Sequence, residues 1–174
     1  MRCELTPHPD FPCAAVDAIT VETTPAGRGA LAVRYMVRGD LSELAIPAPA
    51  APARVDELWR HTCLEAFVSH PAGYLEWNLS PSARWAAYAF DGYRAGMRPA
   101  DAGPPRIQVL RRPQALELSA VIEVPGEAER LGLAAVIEES GGRLSYWALR
   151  HPSGRPDFHH ADGFAIELPA PSGA

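Results

Sequence analysis

Residues 58–98 read LWRHTCLEAFVSHPAGYLEWNLSPSARWAAYAFDGYRAGMR, and the alternation inside this stretch decides the fold. Leu64, Ala66 and Val68 alternate with Glu65, Phe67 and Ser69, and Leu75, Trp77 and Leu79 alternate with Tyr74, Glu76 and Asn78. Apolar residues at a period of two, bounded by Pro and Gly, read as half-buried strands. With His70-Pro71-Ala72-Gly73 as a hairpin loop, Ser69 faces Tyr74, Phe67 faces Glu76 and Glu65 faces Asn78. With Ser80-Pro81-Ser82-Ala83 as the next loop, Asn78 faces Trp85 and Glu76 faces Ala87. Leu64, Ala66, Val68, Leu75, Trp77, Leu79, Tyr88 and Phe90 then form the core face. The opposite face carries Cys63, Glu65, Phe67, Tyr74, Glu76, Asn78 and Trp85 over a floor of Ala87 and Ala89. A one-residue slip exchanges the faces and sends carboxylates into the core, so burial pins the register.

The same period recurs outward from this meander. Leu31, Val33, Tyr35 and Val37 alternate with small or polar neighbours, as do Leu116, Leu118, Ala120 and Ile122, then Leu131, Leu133, Ala135 and Ile137, then Phe164, Ile166 and Leu168. Segments 15–22, 106–111 and 143–150 add weaker candidates. The result is about ten short strands and no long helix, the pattern of an all-β antiparallel sandwich of jelly-roll or immunoglobulin-like kind. The alanine-rich run 83–89 also has helical propensity. Residues 46–57, rich in Pro and Ala, read as a surface loop inside a single domain spanning 1–174 rather than a linker.

Composition narrows the chemistry. The 174 residues carry a net charge of −5, which gives no reason to expect nucleic acid or an anionic membrane as partner. All 16 basic residues are arginine, so Schiff-base chemistry and a P-loop lysine are excluded. Three cysteines without a CxxC pair argue against a disulfide framework. No signal-peptide pattern or membrane-spanning run is visible, so the expected location is the cytoplasm.

A ring beside carboxylates and an amide, above small alanines, suits a polar, partly flat ligand, because the ring stacks on C–H faces while the oxygens and amide bond hydroxyls. An ordinary solvated sheet face is the alternative, although Phe, Tyr, Trp and alanines are unusual there. Arg94 and Arg98 could pair an anionic group on the ligand or form surface ion pairs. In the Pro/Gly loop that follows 143–150, Asp157 and His159 would share a side and His160 would point away. No spacing supports a metal site. Met97 with His159 could ligate haem as a Met/His pair. Glu65 and Glu76 on adjacent strands could act as the acid and base of a glycosidase.

The words Glu65-Ala66-Phe67-Val68, Tyr74-Leu75-Glu76-Trp77-Asn78-Leu79-Ser80-Pro81, Trp85-Ala86-Ala87-Tyr88 and Tyr93-Arg94-Ala95-Gly96-Met97 resemble the DOMON-like superfamily, which includes family 9 carbohydrate-binding modules. Tyr146-Trp147-Ala148-Leu149 and Pro156-Asp157-Phe158-His159-His160 resemble a bacterial DOMON-like subgroup of unknown function. The resemblance implies a sandwich with a ligand on a concave face, members binding sugars or haem, the redox members through Met and His. Carbohydrate modules of this kind sandwich sugar between two tryptophans, a role for which Trp85 and Trp147 are the candidates here. The expected function is therefore non-catalytic binding of a small polar ligand, a saccharide or sugar derivative. The expected ligand residues are Glu65, Tyr74, Glu76, Asn78, Trp85, Arg94, Trp147, Asp157, His159 and His160. Haem held by Met97 and His159, or a metal- or carboxylate-dependent hydrolase, is the alternative.

Overall fold

The computed structural model describes residues 1–169. Twelve strands form among them: β1 (Arg2–Pro7), β2 (Val16–Pro25), β3 (Ala30–Gly39), β4 (Cys63–His70), β5 (Gly73–Leu79), β6 (Trp85–Phe90), β7 (Arg98–Pro99), β8 (Arg106–Arg112), β9 (Ala115–Glu123), β10 (Arg130–Glu138), β11 (Leu144–Ala148) and β12 (Ile166–Glu167). Three short 3-10 turns are the only helical elements among the described residues, and no helix is long and apolar enough to cross a membrane. The fold is all-β and antiparallel, as the alternation predicts.

Neighbours run β7-β6-β5-β4-β10-β11-β1-β2-β3-β9-β8, with β12 beside the start of β10. β1 joins the two halves of this sheet. Arg2 to Leu5 pair with β2, and Thr6 and Pro7 pair with β11. The sheet curls until its halves face each other like the layers of a sandwich. Leu5, Ile19, Val33, Leu118 and Ile122 from one half pack with Leu64, Val68, Trp77, Leu133 and Trp147 from the other. Two buried hydrogen bonds fix the stacking: Tyr35 Oη donates to the Glu65 carbonyl at 2.6 Å, and Trp77 Nε1 donates to the Glu123 carbonyl at 3.1 Å.

The β4–β5 register is the predicted one, with Glu65 opposite Asn78, Phe67 opposite Glu76 and Ser69 opposite Tyr74. Its turn requires glycine at 73. There φ is +136° and an added Cβ would lie 1.9 Å from the Phe90 carbonyl oxygen. The β5–β6 register is shifted by one from the prediction. Leu79 faces Trp85, Asn78 faces Ala86 and Glu76 faces Tyr88. The connection holds five residues, not four, because Arg84 belongs to the turn: the Ser80 amide donates to the Arg84 carbonyl at 2.9 Å, and Ala83 adopts a left-handed φ of 72°. The Ser80 and Ser82 hydroxyls, 2.8 Å apart, accept from the Ser82 and Arg84 amides and stabilise that longer turn.

The extra residue inverts β6. Trp85 lies in the interior, 5.9 Å from Trp77, with the Arg54 guanidinium 4.5 Å above its ring. Ala87 is also interior, whereas Ala86, Tyr88 and Phe90 occupy the outer face. Within the run 83–89, Ala83 and Arg84 belong to the turn and residues 85–89 are extended rather than helical, paired to β5 and packed on both faces. Residues 46–57 run alongside β6, donating from Val55 to the Trp85 carbonyl and accepting from the Trp85 amide at Ala53. A core position for Trp85 predicts that Trp85→Ala lowers stability by about 3–5 kcal/mol in urea unfolding, from transfer and cavity terms together. Arg112→Ala, on an exposed strand, should change it by less than about 0.5 kcal/mol.

Candidate functional site

The outer face of β4, β5 and β10 is covered rather than solvated. β4 is buried at six successive residues and β10 at seven, so both sides of these strands are packed. Small residues form the floor: Ala86, Ala134 and Ala148 lie in one cluster with Phe67, Tyr74, Tyr88, Phe90 and Phe164. Gly132 lets the 3-10 turn at Ala161–Gly163 settle on the sheet, since an added Cβ would lie 3.0 Å from the Gly163 carbonyl oxygen. Leu58 and Trp59 cover the other flank.

Between these covers lies a cavity of about 460 Å³, lined by Trp59, Arg60, Glu65, Glu76, Phe90, Arg94, Met97, Val136, Leu144, Tyr146, Pro156, Phe158 and His159. Glu65 is 2% exposed and Glu76 5% exposed. Cys63 Sγ donates to Asn78 Oδ1 at 3.5 Å, and Asn78 Nδ2 donates to Glu76 Oε1 at 2.6 Å. The other Glu76 oxygen lies 3.8 Å from His159 Nε2, too long for a hydrogen bond. His159 Nδ1 and Tyr74 Oη are 2.8 Å apart, and Tyr74 Oη also accepts from the Arg94 amide at 3.2 Å. With the Tyr74 hydroxyl donating to His159 Nδ1, the proton of the neutral imidazole would sit on Nε2, facing Glu76. Three aromatic rings (Phe67, Tyr74 and Phe90) surround the imidazole, with centroids 5.2–5.8 Å from it. Glu65 Oε1 has no hydrogen-bond partner among the described residues.

Burial dominates the electrostatics. It pushes the Glu76 carboxyl up to about 7, against the Asn78 hydrogen bond and the Arg94 charge. It raises Glu65 well above the ordinary carboxylate range, and the neighbouring Glu76 charge adds to this. It lowers His159 to about 4, helped by Arg94 and opposed by Asp157, so the ring is neutral at pH 7. Arg94 reaches out of the cavity to Asp157 at 2.8 Å. Burial works to raise Asp157, but hydrogen bonds from Tyr93 and Arg94, the Arg94 charge and the His159 amide lower it overall.

Of the residues expected from sequence, Glu65, Tyr74, Glu76, Asn78, Arg94 and His159 meet here, with Asp157 behind Arg94. Met97 also lines the cavity. His160 points away, as its position in the loop predicts. Its Nδ1 accepts from the Asp162 amide, and it lines a shallow outer depression. Trp85 and Trp147 do not reach the site. Both are core residues, Trp147 donating to Ser145 Oγ at 3.0 Å. The pair of tryptophans expected to clasp a ligand is thus replaced by Trp59, Phe90, Tyr146 and Phe158. Alternation along β11 carried the signal for Tyr146, because a buried Trp147 turns its neighbour outward. The Ser80/Ser82 turn carried the signal for Phe90.

The opposed shifts make a pH signature. Glu76 binds a proton more readily in the folded state than in the unfolded one, so its contribution to stability is lost as pH rises from about 4.5 to 7. His159 binds one less readily when folded, so its contribution grows as pH rises from about 4 to 6.5. Relative to wild type, Glu76→Gln should make stability rise with pH between these limits, and His159→Gln should make it fall. Either slope is at most about 1.4 kcal/mol per pH unit for one proton, and urea unfolding across this range measures both. No family model matches the chain, and no curated protein or solved structure does either.

Proposed function

We propose that the chain is a non-catalytic binding module for a small polar ligand, a saccharide or sugar derivative, held in the cavity over Glu65 and Glu76. The observation that carries this reading is the Glu65 carboxyl, which lines the cavity while its Oε1 is buried with no partner among the described residues. Leaving such a group unsatisfied costs about 1–3 kcal/mol, which a ligand hydroxyl donating to it would recover. Glu76 offers a second hydrogen-bonding group, already oriented by Asn78. Trp59, Tyr146 and Phe158 supply faces for the C–H surface of a sugar ring. The free thiols of Cys3, Cys13 and Cys63 support a reducing compartment such as the cytoplasm.

The donor set argues against haem at His159. Nδ1 is taken by Tyr74, and a porphyrin on Nε2 would have to enter the 3.8 Å gap to Glu76. Among the described residues no group of three His, Cys, Asp or Glu is placed to hold a metal ion. A hydrolase reading keeps one supporting observation, the unequal surroundings of the two carboxyls. Only Glu76 has an amide partner and a nearby arginine, so it ionises first while Glu65 stays protonated. Turnover of nitrophenyl glycosides that disappears in Glu76→Gln would favour this second reading.

Binding is tested by titrating mono- and disaccharides into isotope-labelled protein. Amide shifts should centre on residues 65, 76, 94, 146 and 159, and Tyr146→Ala or Glu76→Gln should weaken binding about tenfold, roughly 1.4 kcal/mol. Shifts confined to the outer depression around Arg155 and His160 would refute the site.

A further inference from the structure

The charges around the cavity do not balance from within. Its two arginines are both engaged by acids outside it: Arg60 with Glu57 at 2.8 Å and Arg94 with Asp157 at 2.8 Å. The imidazole nearest the carboxyls belongs to His159, which is neutral at pH 7. Among the described residues Glu65 and Glu76 therefore have no cation paired to them alone, and Glu65 Oε1 has no partner. The walls add Trp59, Tyr146 and Phe158, whose ring faces attract positive charge and repel negative charge.

We infer that the ligand of this cavity carries an ammonium group, seated against Glu65 and Glu76 and enclosed by the aromatic wall. The inference rests on the reading that this cavity is the binding site, and it names the chemical class within that reading: an amino sugar or another amine of similar size. A neutral sugar would satisfy the Glu65 oxygen but would leave the carboxyl pair protonated. An ammonium replaces the proton that burial keeps on the pair. On binding, one N–H···O contact forms at the carboxylate and one proton leaves the acid for solvent, so the net charge of the cavity is unchanged.

This exchange gives the binding a pH dependence of known sign. Affinity rises with pH by up to about tenfold per unit while the free pair still holds the proton, and levels off once it is ionised. The other groups facing the pair are Tyr35 from β3, Cys63 on β4, Tyr74 on β5, Tyr88 on β6, Tyr146 on β11, His159 and Arg94 from the covering loops, and Arg60 from the flanking turn. Burial raises Tyr35, Cys63, Tyr74 and Tyr88, which keeps them uncharged near neutral pH. They do not compete with the carboxyls for the exchange.

Calorimetric titration with glucosamine against glucose, galactosamine against galactose, and cyclohexylamine against cyclohexanol tests the inference. Each pair is run in two buffers of different ionisation enthalpy, below and above pH 7. An amine bound at least tenfold tighter than its hydroxyl partner, with close to one proton released below pH 7 and less above it, supports the inference. Glu76→Gln should weaken amine binding about tenfold and reduce the proton released, because Glu76 is the carboxyl that ionises first. If that variant fails to fold, the buffer dependence of the wild-type heat decides alone. Hydroxyl partners binding as tightly as the amines, or amines binding without proton release below pH 7, would overturn the ammonium and leave sugar binding standing. Cyclohexylamine binding with proton release while all four sugars fail would support the ammonium and overturn the sugar. No binding by any probe at millimolar concentration would overturn both.

Discussion

An antiparallel sheet commonly leaves one face to water, and alternate residues along each strand follow suit. β3 does this, with buried residues at every second position. β4 and β10 do not: they are covered by the opposite half of the sheet on one side and by the 58–60 and 150–165 segments on the other. A residue on the outer face of these strands must therefore be small, apolar or fully hydrogen-bonded. Glu65 and Glu76 are none of these without help, and the chemistry of the site follows from that.

The structure accommodates them in unequal ways. Asn78 supports one oxygen of Glu76, and His159, held by Tyr74 between the rings of Phe67 and Phe90, stays neutral beside the other. Arg94 stands close enough to lower both Glu76 and His159 but spends its guanidinium on Asp157. Asp157 in turn accepts from the His159 amide, so the loop that positions the imidazole also holds the arginine outside. Burial favours the protonated form of both carboxyls, which is how they can remain in a folded interior.

The β4–β5 register was legible because polarity is one-sided there: Glu65, Glu76 and Asn78 share a face, and only one pairing keeps them out of the sandwich interior. The β6 register was not. Trp85-Ala86-Ala87-Tyr88-Ala89-Phe90 is apolar on both faces, so no charge penalises a slip. Its alignment rests on a turn stabilised by two serine hydroxyls, a local competition that hydrophobic pattern does not weigh. β1 and β7 went unread for a related reason: RCELTP carries too few apolar residues to stand out, and two residues at Arg98–Pro99 show no period. The 150–165 segment could be assigned to one side of the sheet, but its packing by Phe158 and Phe164 depends on contacts far apart in sequence.

The sheet never closes into a barrel, and its two ends are handled differently from its middle. Arg111 on the terminal strand β8 donates to the carbonyls of Pro47 and Pro81, while Arg54 donates to those of Ala100 and Ala102 beside β7. The proline-rich 46–57 segment thus lies as a seam between the two outermost strands, stitched by guanidinium groups as well as by its backbone bonds to Trp85. Prolines have no amide to offer a passing strand, and arginine side chains already occupy nearby carbonyls. A strand arriving at this seam therefore finds the carbonyls of Pro47, Pro81, Ala100 and Ala102 already occupied, so the seam itself offers it little to pair with.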